Sequence, residues 1–225
     1  MRPMHQLVLD AVKETRGQQL TRRDALRGSA KFAAGGAIAA SVALSPAMSR
    51  LIAAQEEFED DVDVLNYALT LEHLEATFYE MTDDFELGED PFGNSINEFI
   101  GRIGEHEDAH VETLTAVISD LGGEPVEAAE YDFGVTDAES FIATAAVFEN
   151  LGVSAYDGAG QFLTDPGLLT AAGTIVAVEA RHAAYLNLLI GELPFPDSFE
   201  TPFTPEEVLE AATPFFVTDG GTPEG

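Results

Sequence analysis

Between residues 61 and 191 the apolar positions recur in steps of three and four, and they do so in four separate runs. In the first, about 61–81, Leu65, Ala68, Glu72, Glu75 and Tyr79 share one face. The second, about 95–121, carries Ile96, Ile100, Ile103, Glu107, His110, Leu114, Val117 and Leu121 on one stripe and stops at Gly122-Gly123. The third, about 137–163, opens on Thr136-x-x-Glu139, a capping-box pattern, and aligns Ile142, Ala145, Glu149, Gly152, Tyr156 and Leu163. The fourth opens on Asp165-Pro166, an N-cap with proline at the first helical position. Its stripe is Leu168, Ala172, Ile175, Glu179, His182, Leu186 and Leu189, with Gly191 as terminator. This stepping predicts amphipathic helices, each burying one stripe. No segment alternates as a strand does, so the pattern predicts an all-α fold, a four-helix bundle.

The connections restrict the topology. About two residues join the third and fourth helices, which makes them antiparallel neighbours. Residues 122–136 form a longer, Gly- and acid-rich connection that can reach roughly 50 Å when extended. The second helix is about 40 Å long. The connection can therefore run the length of the bundle as a single crossover. Residues 192–225, rich in proline and acid, read as an extended tail with one short helix near Pro205–Ala212.

Each stripe contains a residue that a bundle core does not want. Glu72, Glu107, Glu149 and Glu179 stand where leucine or isoleucine is expected, and His110 and His182 follow two of them at i+3. The order along the chain is Glu, Glu-x-x-His, Glu, Glu-x-x-His. Residues at i and i+3 share a helix face, so one helix can offer an ion both a carboxylate and an imidazole. An unpaired ionised carboxylate in a core costs several kcal/mol, roughly, unless it finds a counter-charge. Two divalent metal ions would neutralise four such carboxylates. Oxygen-rich sites with imidazole suit iron, manganese or zinc, and an open oxygen-rich site favours iron or manganese. Tyr79 and Tyr156 lie seven residues beyond Glu72 and Glu149, on the same faces, where a phenol can hydrogen-bond a ligand or sit beside a redox centre. Glu75, one turn from Glu72, reads as a solvated edge residue in preference to an extra ligand, His73 as a surface or interhelix histidine, and Arg181 as an ion-pair partner of a carboxylate.

Charge sharpens the picture. Eight of the ten Lys and Arg, but only three of the 41 Asp and Glu, lie in residues 1–50. The rest of the chain sets 38 acids against Arg102 and Arg181, a net charge of −36. Such self-repulsion opposes compaction in dilute buffer and is screened in molar salt, where the Debye length is about 3 Å. The expectation is a salt-adapted protein, and nucleic acid is excluded as a partner by sign. The absence of cysteine excludes disulfides, thiolate metal sites and a lipidated cysteine anchor.

The basic N-terminal part has its own pattern. Thr21-Arg22-Arg23-Asp24-Ala25-Leu26-Arg27 precedes an Ala/Gly-rich apolar stretch from Phe32 to Leu44, too short to span a bilayer and of signal-peptide length. It resembles a twin-arginine export signal, although Ala25 stands where a large apolar residue is usual. Three regions are therefore expected: 1–54 as export signal and linker, 55–191 as the bundle, and 192–225 as the acidic tail. The translocase for folded proteins becomes an expected partner. The expected location is extracellular or cell-surface, with membrane anchoring if the signal stays uncleaved.

The segments Leu65-Asn66-Tyr67-Ala68-Leu69-Thr70-Leu71-Glu72-His73-Leu74-Glu75 and Glu179-Ala180-Arg181-His182-Ala183-Ala184-Tyr185-Leu186 resemble the ferritin-like superfamily, and within it exported proteins related to desiccation-associated proteins. The likeness covers about residues 58–191. It implies that Glu72, Glu107, His110, Glu149, Glu179 and His182 bind two metal ions, iron by preference with manganese as the alternative, and that Glu107 and Glu179 are the bridges. It implies oxidoreductase chemistry on dioxygen or peroxide, such as ferrous oxidation or peroxide reduction, with the tyrosines as electron-supplying catalytic groups. A homo-oligomer is compatible with it. Two other readings stand beside this one. His106-Glu107-x-x-His110 matches the His-Glu-x-x-His pattern of zinc metalloproteases, though it leaves Glu179-x-x-His182 without a role. A metal-free, stress-protective bundle is the non-enzymatic reading.

Overall fold

A computed structural model of the chain describes residues 58–217 together with Pro46 and Ser49. The twin-arginine segment and its apolar stretch lie outside the described residues. Five α-helices and no strand are formed among the described residues: α1 Asp61–Tyr79, α2 Ile96–Asp120, α3 Ala138–Ala159, α4 Pro166–Leu189 and α5 Pro205–Ala212. The first four make the predicted bundle. α1 packs chiefly on α2 and α3 on α4, and contacts between α1 and α3 join the two pairs.

Local chemistry fixes the helix ends. The side chains of Asp60, Ser95 and Asp165 accept from backbone N–H groups of the first turns of α1, α2 and α4. The cap of α3 is shifted by one residue from the expected Thr136-x-x-Glu139. Asp137 accepts from Ser140 N at 2.8 Å, and Ser140 Oγ accepts from Asp137 N at 3.1 Å. Both residue pairs fit the pattern, and aspartate is the stronger cap. α3 also ends early, at Ala159, and tightens into a 3₁₀ turn at Gly160–Phe162, where glycine weakens the helix. Gly122 and Gly191, at φ near +82° and +81°, follow the ends of α2 and α4 in the left-handed conformation that glycine adopts without strain.

The 121–137 connection is the single crossover, and α1 holds it in place. Asn66, fully buried, donates to the carbonyl of Glu124 and accepts from Val126 N at 2.8 Å. His73 contacts the Val126 carbonyl at 3.1 Å, so this half-buried histidine serves the crossover. With crossover and bundle on either side, α1 is buried nearly all round, well beyond its expected stripe.

Two stripes also turn more than expected. Ile118, fully buried, replaces Leu121, which is half exposed at the end of α2. On α3 the completely buried Phe141 and Phe148 outrank Ile142, because Phe141 stacks on Phe78 of α1 and Phe148 meets it edge to face. The tail is packed as well. Phe203 N donates to the Ser154 carbonyl, Val208 and Ala212 are fully buried, and Asp132 N donates to Phe215 O beside the crossover.

Candidate metal centre

Four helices bring the predicted residues to one point. Glu72 comes from α1, Glu107 and His110 from α2, Glu149 from α3, and Glu179 and His182 from α4. All four glutamates are completely buried, and the histidines nearly so. His110 Nδ1 lies 3.0 Å from Glu107, 3.2 Å from Glu72 and 3.2 Å from Glu179. His182 Nδ1 lies 3.1 Å from Glu107, 3.2 Å from Glu149 and 4.0 Å from Glu179. Two overlapping donor groups result, Glu72–Glu107–His110–Glu179 and Glu107–Glu149–Glu179–His182, each with its ligand atoms within 4.8 Å of one another. Glu107 and Glu179 belong to both, one from each Glu-x-x-His helix.

The residues present fit metal ions. One Nδ1 carries at most one proton, yet three carboxylate oxygens surround that of His110. Neighbouring ligand atoms around an octahedral ion with bonds of about 2.1 Å stand roughly 3.0 Å apart, which is the spacing found here. Glu179 Oε2 has no partner although fully buried, and Glu107 Oε1 and Glu179 Oε1 meet only a histidine Nδ1, at 3.1 and 3.2 Å, that other carboxylates share. Carboxylate oxygens on the two shared residues that outnumber the protons available to them are what a site built for cations shows.

Electrostatics give the same account. Burial pulls His110 and His182 down, but hydrogen bonds to Glu107, Glu179 and Glu72 for one, and to Glu107 and Glu149 for the other, outweigh it. The results are about 12 and about 10. The histidines are thus imidazolium ions that partly neutralise the glutamates. Burial raises Glu107 to about 7 against the pull of both histidines, and it raises Glu149 and Glu179 as well.

The tyrosines cross over. Tyr79, behind Glu72 in sequence, donates to Glu149 at 2.6 Å, and Tyr156, behind Glu149, donates to Glu72. Each helix of the α1–α3 pair therefore steadies the other's carboxylate.

Three expectations need correction. Glu75 is no solvated edge residue: it is 3% exposed and lies against Gly152, beside Glu179. The α1–α3 contact covers the face that an isolated α1 would leave open. Arg181 pairs with no site carboxylate; its exposed guanidinium donates to the Ala177 carbonyl one turn back. His106 is outside both donor groups, so the two histidines of His-Glu-x-x-His do not converge on one ion. It has a different place: its Nδ1 lies 2.8 Å from His182 Nε2, on the side away from the glutamates. A partner there fixes the tautomer of a ligating histidine. Its i+4 spacing to His110 suggested another role, and nothing in the sequence marks its neighbour on α4.

A bundle of this topology, lined by single glutamates and paired Glu-x-x-His segments, defines the ferritin-like class of helical proteins. The chain belongs to the ferritin-like domain family, whose pattern it matches over residues 60–192. It is also similar to the solved structure of a conserved hypothetical protein, rv2844, from Mycobacterium tuberculosis, with a TM-score of 0.51 and 19% identity. That match covers 66% of this chain and 99% of the other, and it bears on the fold alone. No curated protein matches the chain in sequence.

Proposed function

We propose that this protein binds two divalent metal ions, both iron or, as the alternative, both manganese, and that it oxidises ferrous iron or reduces peroxide. The observation that carries the reading is the overlap of two Glu/His donor groups on Glu107 and Glu179. Glu72 and His110 would complete one position, and Glu149 and His182 the other. Two such ions supply paired one-electron steps to an oxygen species.

The chain's own residues do the rest. Tyr79 and Tyr156 orient Glu149 and Glu72 through their hydroxyls, and each can give up a proton and an electron beside the site. Burial of the glutamates excludes water. An apolar cavity of about 40 Å³, bordered by Leu65, Ala68, Leu71, Ala155 and Ile175, reaches the ring of Tyr156. Its walls suit a small uncharged molecule such as dioxygen.

The test is elemental analysis of the folded protein beside a Glu107→Ala, Glu179→Ala double variant. About two iron or manganese ions per chain, lost in the variant, support the reading. One zinc per chain that survives loss of Glu179 would favour the metalloprotease reading, and no metal in either protein would favour a structural bundle.

Export through the twin-arginine pathway and life in high salt belong to the same proposal, supported by Arg22-Arg23 and by the charge of −36 beyond residue 50. Export with the metals already loaded would follow, since that pathway carries folded proteins. Retention of an Arg22→Lys, Arg23→Lys variant inside its host would support export; unchanged secretion would refute it.

A further inference from the structure

The acids of this chain avoid one surface. From Ser140 to Gly191, a stretch that includes the whole of α4, the only acids are Glu149, Asp157, Asp165 and Glu179. Glu149 and Glu179 are buried in the metal centre, Asp157 belongs to α3, and Asp165 caps the start of α4. The outward face of α4 therefore has no acid along its length. Its exposed positions include Leu169, Thr170, Gly173, Thr174, Ala177 and Ala180, and its one charge is the cation Arg181. The outer ridge of α2 is the opposite case, with Glu98, Glu105 and Glu112 all exposed.

Two further features set this face apart. Leu169 is 48% exposed, and Phe162, in the turn before α4, is 41% exposed. Gly173 stands in the helix interior, where alanine is the better helix former, yet a Cβ there would meet nothing within 4 Å among the described residues. No packing inside the chain requires that glycine, whereas close approach of another backbone would.

We infer that the outward face of α4 is the contact between two copies of this chain, related by a two-fold axis. Such a contact sets the same patch on both sides. Acid-free surface then meets acid-free surface, whereas a contact through the α2 ridge would set acid against acid. Arg181 adds attraction, because the approaching copy is strongly acidic. With small side chains between them, the helix axes can approach to about 8 Å. α4 is about 36 Å long and, with the adjoining edge of α2, offers roughly 600 Å² per copy, the lower end of stable interfaces. A bilayer is the poorer occupant, since alanine, glycine and threonine bury little apolar area. Thr113 and Ala171, exposed residues that line the apolar cavity, border this face. A second copy would therefore stand over the cavity that reaches Tyr156. The inference does not depend on the dimetal reading.

The experiment is analytical ultracentrifugation of the full chain over a range of concentrations, in about 2 M KCl so that net charge is screened. Wild type is compared with Ala177→Glu, Gly173→Ala and Ala128→Glu. Ala128 is exposed on the crossover, so its variant adds the same charge on another surface. Wild type is expected to dimerise with Kd of about micromolar order. Ala177→Glu, which brings a carboxylate from each copy into the contact, should weaken association about tenfold or more. Gly173→Ala should raise the melting temperature of the monomer yet weaken the dimer, a combination that a role confined to the helix would not produce. Ala128→Glu should leave association unchanged. A wild type that stays monomeric at about 100-fold above micromolar concentration would overturn the inference. So would full dimerisation of Ala177→Glu, or equal losses in Ala177→Glu and Ala128→Glu. Monomers that bind phosphatidylcholine vesicles through α4 would give the face to a bilayer and also overturn it.

Discussion

Metal binding should expel protons from this site, and the structure gives their minimum number. Metal-free His110 and His182 are held protonated up to about 12 and about 10 by the surrounding glutamates. At neutral pH both rings carry a proton on each nitrogen, and each must release the one on Nδ1 before that nitrogen can bind an ion. Filling two positions therefore releases at least two protons, and Glu107, raised to about 7, adds a fraction more. By linkage, two protons released mean that overall metal affinity rises ~100-fold per pH unit below the histidine values. The assay is calorimetry of Mn²⁺ or Zn²⁺ binding in buffers of different ionisation heat, which counts protons directly. His110→Gln should lower the count by about one. Metal uptake with no proton release would refute the argument, because the histidines could then not be the charged partners of the glutamates.

The same groups set the pH dependence of the metal-free fold. His110, His182 and Glu107 all have folded values above their unfolded ones, so their stabilisation is full at low pH and is lost as pH rises. The melting temperature should fall from about pH 5 to about pH 9; a rise over that window would contradict the charge assignment. His106→Ala should weaken metal binding by about 10- to 100-fold at the His182 position while leaving two ions bound. Complete loss of metal on that change would instead revive a His106-ligated site. Gly158→Ala would put a methyl 1.8 Å from the Phe203 carbonyl. It should cost about 3 kcal/mol and about 6–12 °C in melting temperature, read by calorimetry. An unchanged melt would mean that the tail does not pack on α3. Raising KCl from about 0.1 to about 2 M should increase thermal stability by screening the acidic surface; a flat response would remove the salt-adaptation argument.

Much of this site was legible in the sequence because helical periodicity is a one-dimensional record of one face. Glu72, Glu149 and the two Glu-x-x-His pairs occupy core steps, and a buried carboxylate there demands a counter-charge wherever the helices meet. The all-α class and the single crossover followed from the same steps and from the reach of residues 122–136. What periodicity cannot record is which neighbour covers a face. Glu75 looked solvated because α1 alone exposes it, and only the contact with Gly152 of α3 buries it beside Glu179. His106 suggested only a His-Glu-x-x-His pairing with His110, because its actual partner, His182, lies on another helix. The tyrosines were placed on the faces of the glutamates, but which glutamate each would meet was not legible, since the crossing of Tyr79 to Glu149 and Tyr156 to Glu72 depends on how α1 and α3 pack. The sequence by itself determined which side chains enter the core and what charge they bring, through spacing and composition. The tertiary structure decided which of them meet, because contacts across helices depend on packing angle and register, quantities that no single helix encodes.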